Sequence, residues 1–182
     1  MTNHAERITK LDAAKRQLKT AIQLFLEERD PVSIHTLTEA SREILRTLLR
    51  KKGDISKLEQ VERDRIKPEY WRDFRKAIDE AKNFFKHADR NPSGTLEFRP
   101  AYTAYLLFEC VLMYRQYTGR DLLLGWVFGM WFLHENPDLL QEGPQTDTIR
   151  KHLRRLARYT KADFAQLCDN LLVEEMFPNM DA

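Results

Sequence analysis

The chain has 182 residues, 42% hydrophobic and 32% charged, which excludes a mainly disordered or membrane-embedded protein and leaves room for one sizeable core. Six glycines and seven prolines are too few for a loop-rich all-β fold. A formal net charge of +2 gives no bulk attraction to nucleic acid.

Apolar residues Ile8, Leu11, Leu18, Ile22, Phe25 and Leu26 recur three and four apart, predicting a helix that ends near Glu28. Asp30 and Pro31 suit the cap and first position of a second helix. Its stripe is Ile34, Leu37, Ser41, Ile44, Leu45 and Leu48, closed by Lys51, Lys52 and Gly53. Residues 54–67 alternate in charge and read as a short helix or an ordered connection. Pro68 opens a long helix whose aromatic face runs from Tyr70 and Trp71 through Phe74 to Phe84 and Phe85, before the turn residues Asn91 to Gly94.

Pro100 begins a helix running to Gly119. Arg120 to Glu135 follows as a helix apolar nearly all round. Its longest uncharged run, Leu122 to Leu133, is twelve residues, against the roughly 20 needed to cross a bilayer. Thr146 and Asp147 are set to cap another helix, and Thr160 with Asp163 resembles a capping box for the last. The expected architecture is an all-α bundle of six or seven helices in a single domain, 1–182. Within it, 1–52 is a helical hairpin, 68–135 supplies the core helices and 146–177 is a C-terminal helical pair. The polar start, without an apolar leader, and the absence of disulfide spacing give a cytoplasmic expectation with no membrane partner. Cys110 and Cys168 read as small core residues.

Several features can carry chemistry. His35, Glu39, Arg42 and Arg46 share one face of the second helix; they suit a metal or an anion, but such a strip is more often a solvated face of helical ion pairs. Glu109 lies in a strongly apolar helix and needs a donor, with Arg115, Arg120, His35 and His87 as candidates. A metal set of Glu39, Glu109, His35 and His87 lacks the paired Glu-x-x-His pattern of di-metal bundles, and no cofactor is expected. Gly125 and Gly129 allow a close helix approach, inside the monomer or at a dimer seam. Arg150, Lys151, Arg154, Arg155, Arg158 and Lys161 give the segment 149–161 a charge of +6, whereas Asp163, Asp169, Glu174, Glu175 and Asp181 give the residues after it −5. Alone, the basic segment suggests RNA, DNA or an acidic membrane surface; beside the acidic one it reads as neutralised in cis.

The run Lys82-Asn83-Phe84-Phe85-Lys86-His87, followed by Asp89 and Arg90, places an imidazole among cations and an amide. Imidazole can move the proton of an attacking hydroxyl while Lys and Arg stabilise charge on phosphorus. Lys86 and His87 equally suit the last turn of a helix, as partners of its carbonyls. This order resembles the motif of the HEPN (higher eukaryotes and prokaryotes nucleotide-binding) family, in which an Arg precedes a His by four to six residues on a helical bundle. Lys82 stands in the Arg position here, Asn83 in the polar position and His87 in the His position. The resemblance implies a symmetric homodimer whose facing His residues form a metal-independent ribonuclease site of toxin or defence type. In that reading His87, Asn83 and Lys82 are catalytic, and Lys86, Arg90, Arg150, Arg154, Arg155 and Arg158 bind phosphate. Five residues turn a continuous helix about 140° past alignment, so Lys82 and His87 share a face only where the helix breaks. The alternative is a non-catalytic helical module that binds a protein partner or RNA through its basic C-terminal helix.

Overall fold

Thr9 opens the first helix with a full capping box: the Asp12 N–H donates to Thr9 Oγ1 and the Thr9 N–H to Asp12 Oδ2, both at 3.1 Å. The computed structural model describes residues 5–176, apart from the side chains of residues 65, 145 and 173–176. Helix α1 is Lys10–Leu26, and it buries Ala14, Leu18, Ala21, Ile22 and Leu26. Ile8, expected in the stripe, precedes the cap and is 50% exposed. Asp30 caps α2, Pro31–Lys51, by accepting from the Ser33 N–H at 2.7 Å. The remaining helices are α3 Lys57–Arg65, α4 Pro68–Lys86, α5 Ala101–Thr118, α6 Leu123–Glu135, α7 Pro144–Arg155 and α8 Lys161–Met176, with a 3-10 turn at Pro137–Leu139.

The fold is all-helical, as expected, with eight α-helices among the described residues instead of six or seven. The additional element is α3, whose cap Ser56 accepts from the Glu59 N–H. The central helix α2 packs between α1 and α5, and α6 closes the core against α1, α5 and α8. Phe25, Phe108, Phe128, Trp131 and Phe132 interlock at this junction with centroid distances of 4.4–6.2 Å. Phe164 and Cys168 bring α8 into the same core, and Cys110 is fully buried.

Several boundaries differ from the sequence reading. Helix α6 starts at Leu123, not Arg120, because Gly119 takes the left-handed conformation (φ 70°) and Leu122 is extended. Helix α7 starts at Pro144, so Thr146 lies inside it and its hydroxyl donates back to Gln141 O and Gly143 O. The segment 149–161 is not one helix: α7 stops at Arg155, Arg158 sits in the following turn and Lys161 opens α8. Thr160 and Asp163 do form the expected box, with Thr160 N–H to Asp163 Oδ2 at 2.7 Å. Residue 177, the expected end of the C-terminal pair, lies outside the described residues. Among the described residues no helix is long and apolar enough to cross a membrane.

Helix α4 departs most from its expected role. None of its residues is fully buried, and Tyr70 is 60% exposed. It docks on α2, where it covers charged residues and not the apolar core.

Candidate functional site

The strip His35, Glu39 and Arg42 is buried at 3%, 1% and 1% exposure, correcting its reading as a solvated face. Helix α2 packs against α5 on one side and α4 on another, which covers His35, Glu39 and Arg42 while Arg46 stays half-buried. Arg42 Nη1 donates to Glu39 Oε1 at 3.1 Å, and Arg42 Nε to Glu109 Oε2. The second oxygen of Glu109 accepts from Ser56 Oγ at 2.9 Å. Glu109 is thus satisfied by Arg42 and Ser56, not by Arg115, Arg120, His35 or His87. Burial opposes charge on Arg42, but Glu109 and Glu39 more than reverse this and hold the guanidinium firmly ionised. Burial pushes the Glu39 carboxyl above the usual range.

Above this buried row lies a polar cleft of about 330 Å³ between α2, α3 and α4. On α4, Trp71, Arg75, Asp79 and Lys82 recur four, four and three apart, which puts them on the face toward α2. Helix α2 contributes Arg42, Arg46 and Arg50, and α3 contributes Glu59 and Arg63. Asp79 Oδ1 lies 3.4 Å from Lys82 Nζ and 3.7 Å from both Arg42 Nη1 and Arg75 Nη2. The longer pairs exceed hydrogen-bonding distance. Asp79 Oδ1, Arg75 Nη1 and Glu62 Oε2 are buried atoms without a hydrogen bond. Burial lowers the Arg75 guanidinium from its ordinary value and raises the Glu62 carboxyl. The Arg63 guanidinium stacks 4.7 Å from the Trp71 ring centroid.

Six cations, Arg42, Arg46, Arg50, Arg63, Arg75 and Lys82, therefore line one wall system with Trp71. Glu39, Glu43, Glu59 and Asp79 line the same cleft and oppose them. No family model matches the chain, and no curated protein or solved structure matches it. The chemistry of the cleft rests on its own residues, guanidinium groups and an ammonium interleaved with carboxylates.

Of the motif residues, Lys82 lines this cleft. Asn83 is half-buried on α4, and its carbonyl accepts the His87 N–H at 3.1 Å. His87 is where the helix breaks: it caps α4 with φ −126° and ψ 71°. Its Nδ1 lies 4.0 Å from Asp89 Oδ1, and it does not line the cleft. Lys86 reaches Glu43 at 3.6 Å and borders a shallower depression with Lys10, Ile44 and Leu48. Arg90 is exposed, its N–H bonded to His87 O at 3.2 Å.

At the C-terminal end, Arg150 is half-buried and donates to Leu140 O at 2.6 Å, so it ties α7 to the preceding loop. Lys161 sits 4.1 Å over Phe25 and pairs with Glu28 at 3.5 Å. Lys151, Arg154, Arg155 and Arg158 are exposed, with no ion pair among the described residues. Asp163 is engaged by Thr160; the side chains of Glu174, Glu175 and Asp181 lie outside the described set.

His35 sits in a separate box. Its ring meets Phe85 and Phe98 edge-on at 5.7 and 5.2 Å, and Nδ1 lies 3.0 Å from Thr103 Oγ1. Burial, with Arg42 close by, lowers its pKa to about 4, so the imidazole is neutral near pH 7. Among the described residues no three His, Cys, Asp or Glu side chains gather to hold a metal. Glu39 and Glu109 are instead committed to Arg42.

Sequence reading missed Arg75, Asp79, Trp71 and the Glu59 cluster. The signal was present in the 71, 75, 79, 82 spacing, masked by the aromatic residues interleaved along α4.

Proposed function

We propose that this protein binds a phosphate-bearing ligand, RNA or a nucleotide, in the cleft between α2, α3 and α4. The observation that carries this reading is the convergence of Arg42, Arg46, Arg75 and Lys82 on one polar cleft, where the buried donor Arg75 Nη1 has no hydrogen bond among the described residues. Among these residues Arg75 has only long ion pairs, to Glu62 at 3.9 Å and Asp79 at 3.7 Å, and phosphate oxygens supply a hydrogen-bond acceptor for its Nη1. The HEPN-like resemblance supports the same ligand class, because Lys82 belongs both to the motif and to the cleft. Metal-independent ribonuclease activity extends this reading: His87, oriented through Asn83, acts as acid/base on a phosphodiester that leaves the cleft toward the end of α4.

Fluorescence anisotropy with labelled single-stranded RNA tests the binding step. Lys82→Ala and Arg75→Ala are expected to weaken binding at least tenfold, with a steep loss on added salt. Undiminished binding by both variants would reject the cleft. Cleavage of the same RNA in chelator, compared with His87→Ala, tests catalysis; equal products from both proteins, or none from either, rejects the ribonuclease step.

One observation favours the non-catalytic interaction module: Lys151, Arg154, Arg155 and Arg158 are exposed without ion partners among the described residues. Trp126 of α6 is 47% exposed and packs edge-on to His152 of α7. The triple variant Arg154→Ala/Arg155→Ala/Arg158→Ala separates the two readings. Loss of RNA binding there, with the cleft variants unaffected, moves the interface to α7.

A further inference from the structure

At the α3 end of the cleft, three arginines converge on one carboxylate. Arg46 donates through Nε and Nη2 to Glu59 Oε2 at 3.2 and 2.7 Å, and Arg63 through Nε and Nη2 to Oε1 at 3.2 and 2.8 Å. Arg50 Nη2 reaches both oxygens, at 3.3 and 3.4 Å. Glu59 is 1% exposed, whereas Arg50 and Arg63 remain 54% and 48% exposed. Three positive charges around a single negative one leave an excess that a carboxylate does not cancel. The long Arg50 contacts also leave donor capacity at the solvent side, since a guanidinium carries five N–H groups.

We propose that the Arg46, Arg50 and Arg63 cluster is a site for a phosphate monoester, which Glu59 occupies from within the chain until the ligand exchanges with it. This rests on the phosphate-binding reading above and narrows it from phosphates in general to terminal ones. A phosphodiester carries one negative charge and two free oxygens, which is what Glu59 already supplies. A phosphate monoester carries nearly two charges at neutral pH and three free oxygens, one for each arginine. Exchange is feasible because α3 is held mainly by polar contacts. Val61 is 44% exposed and Leu58 only half-buried, while Ser56 to Glu109 and the Lys57 N–H to Gln116 Oε1 tie down its start. Because that tether holds the Glu59 backbone through Ser56, the exchange is a swing of the Glu59 side chain alone, which leaves the apolar core closed.

The test compares one RNA sequence bearing a 5′-phosphate, a 3′-phosphate or hydroxyl ends, together with adenosine monophosphate and adenosine as competitors. Phosphate-ended strands are expected to bind at least tenfold tighter than the hydroxyl-ended strand. Competition by the monophosphate but not the nucleoside points to a free nucleotide; competition by neither, with the end preference kept, points to an RNA terminus. Glu59→Gln removes the internal competitor and should raise affinity severalfold. Arg50→Gln, at a half-exposed position, should abolish the preference for phosphate ends, and it carries the test if Glu59→Gln fails to fold. Equal binding of all three strands, or an end preference unchanged in Arg50→Gln, overturns the monoester site while leaving RNA binding intact. Binding of no strand overturns both.

Discussion

Arg42 of α2 and Glu109 of α5 meet as an ion pair with both side chains at 2% exposure or less. They are 67 positions apart in the chain, so the pair forms only once the central helices have docked. Arg42 also holds Glu39 and faces Asp79. Arg42→Met therefore strands several carboxylates in a low-dielectric region, at an expected cost of about 3–5 kcal/mol. Glu109→Gln keeps an acceptor for Ser56 and leaves Arg42 with Glu39, so about 1–3 kcal/mol is expected. Urea unfolding of both variants checks the order; a larger loss in Glu109→Gln would contradict the placement of Arg42 at the centre.

The apolar stripes of α1 and α2 were legible because a 3.6-residue period records which side is buried, whereas α6 showed itself as a continuous apolar run. Pro31, Pro68 and Thr160 likewise marked helix starts through chemistry local to them. The ionic cleft was not legible for a physical reason. His35, Glu39, Arg42 and Arg46 have the same spacing on a solvated helix as on a buried one, and only the docking of α4 and α5 decides between them. Glu109 did announce itself, since a carboxylate among Phe108, Cys110 and Leu112 needs a donor. Its partner came from a helix 67 residues upstream, which no local pattern specifies. Lys82 was read as part of a motif, while its cleft companions Arg75 and Asp79 lay within a helix read for its aromatic residues.

Acid should release α3 through Glu59. Burial alone would raise this carboxyl, but hydrogen bonds from Arg63 and Arg46 outweigh it and bring the pKa down to about 2 from 4.5. A depressed carboxylate pKa contributes stability that is complete above about pH 4.5 and is lost as pH falls toward 2. The exposure of Arg50 and Arg63 reduces the effect by screening, to on the order of 2 kcal/mol. Urea midpoints of wild type and Glu59→Gln should differ above pH 4.5 and converge near pH 2. A constant difference across that window would mean that Glu59 does not titrate as described.

His35 gives a second acid dependence in a different window. Its folded pKa of about 4 lies below its ordinary 6.5, so the unfolded chain binds the extra proton first. Stability is highest above about pH 6.5 and falls as the pH drops to 4, by about 3 kcal/mol for a shift of this size. Glu39 works in the opposite direction: its raised pKa makes the fold more favourable as it gains a proton. The difference between wild type and His35→Phe isolates the imidazole. The variant should lose the slope between pH 6.5 and 4, and an unchanged slope would assign it to other groups.

The two glycines of α6 should respond oppositely to the same added methyl group. A Cβ at Gly125 would stand 3.2 Å from Val111 Cγ1 and 3.3 Å from Leu122 Cβ, so the approach of α5 to α6 inside the monomer depends on its absence. Gly125→Ala should cost about 1–3 kcal/mol as the helices separate. A Cβ at Gly129 meets nothing closer than Phe108 Cε2 at 3.9 Å, an ordinary contact. Gly129→Ala should therefore gain from better helix propensity, up to about 1 kcal/mol. Thermal unfolding of each variant, alongside sedimentation at micromolar concentration, reads both stability and association. If Gly125→Ala left thermal stability unchanged but dissociated a dimer, the glycine would belong to a seam between copies and not to the α5–α6 contact.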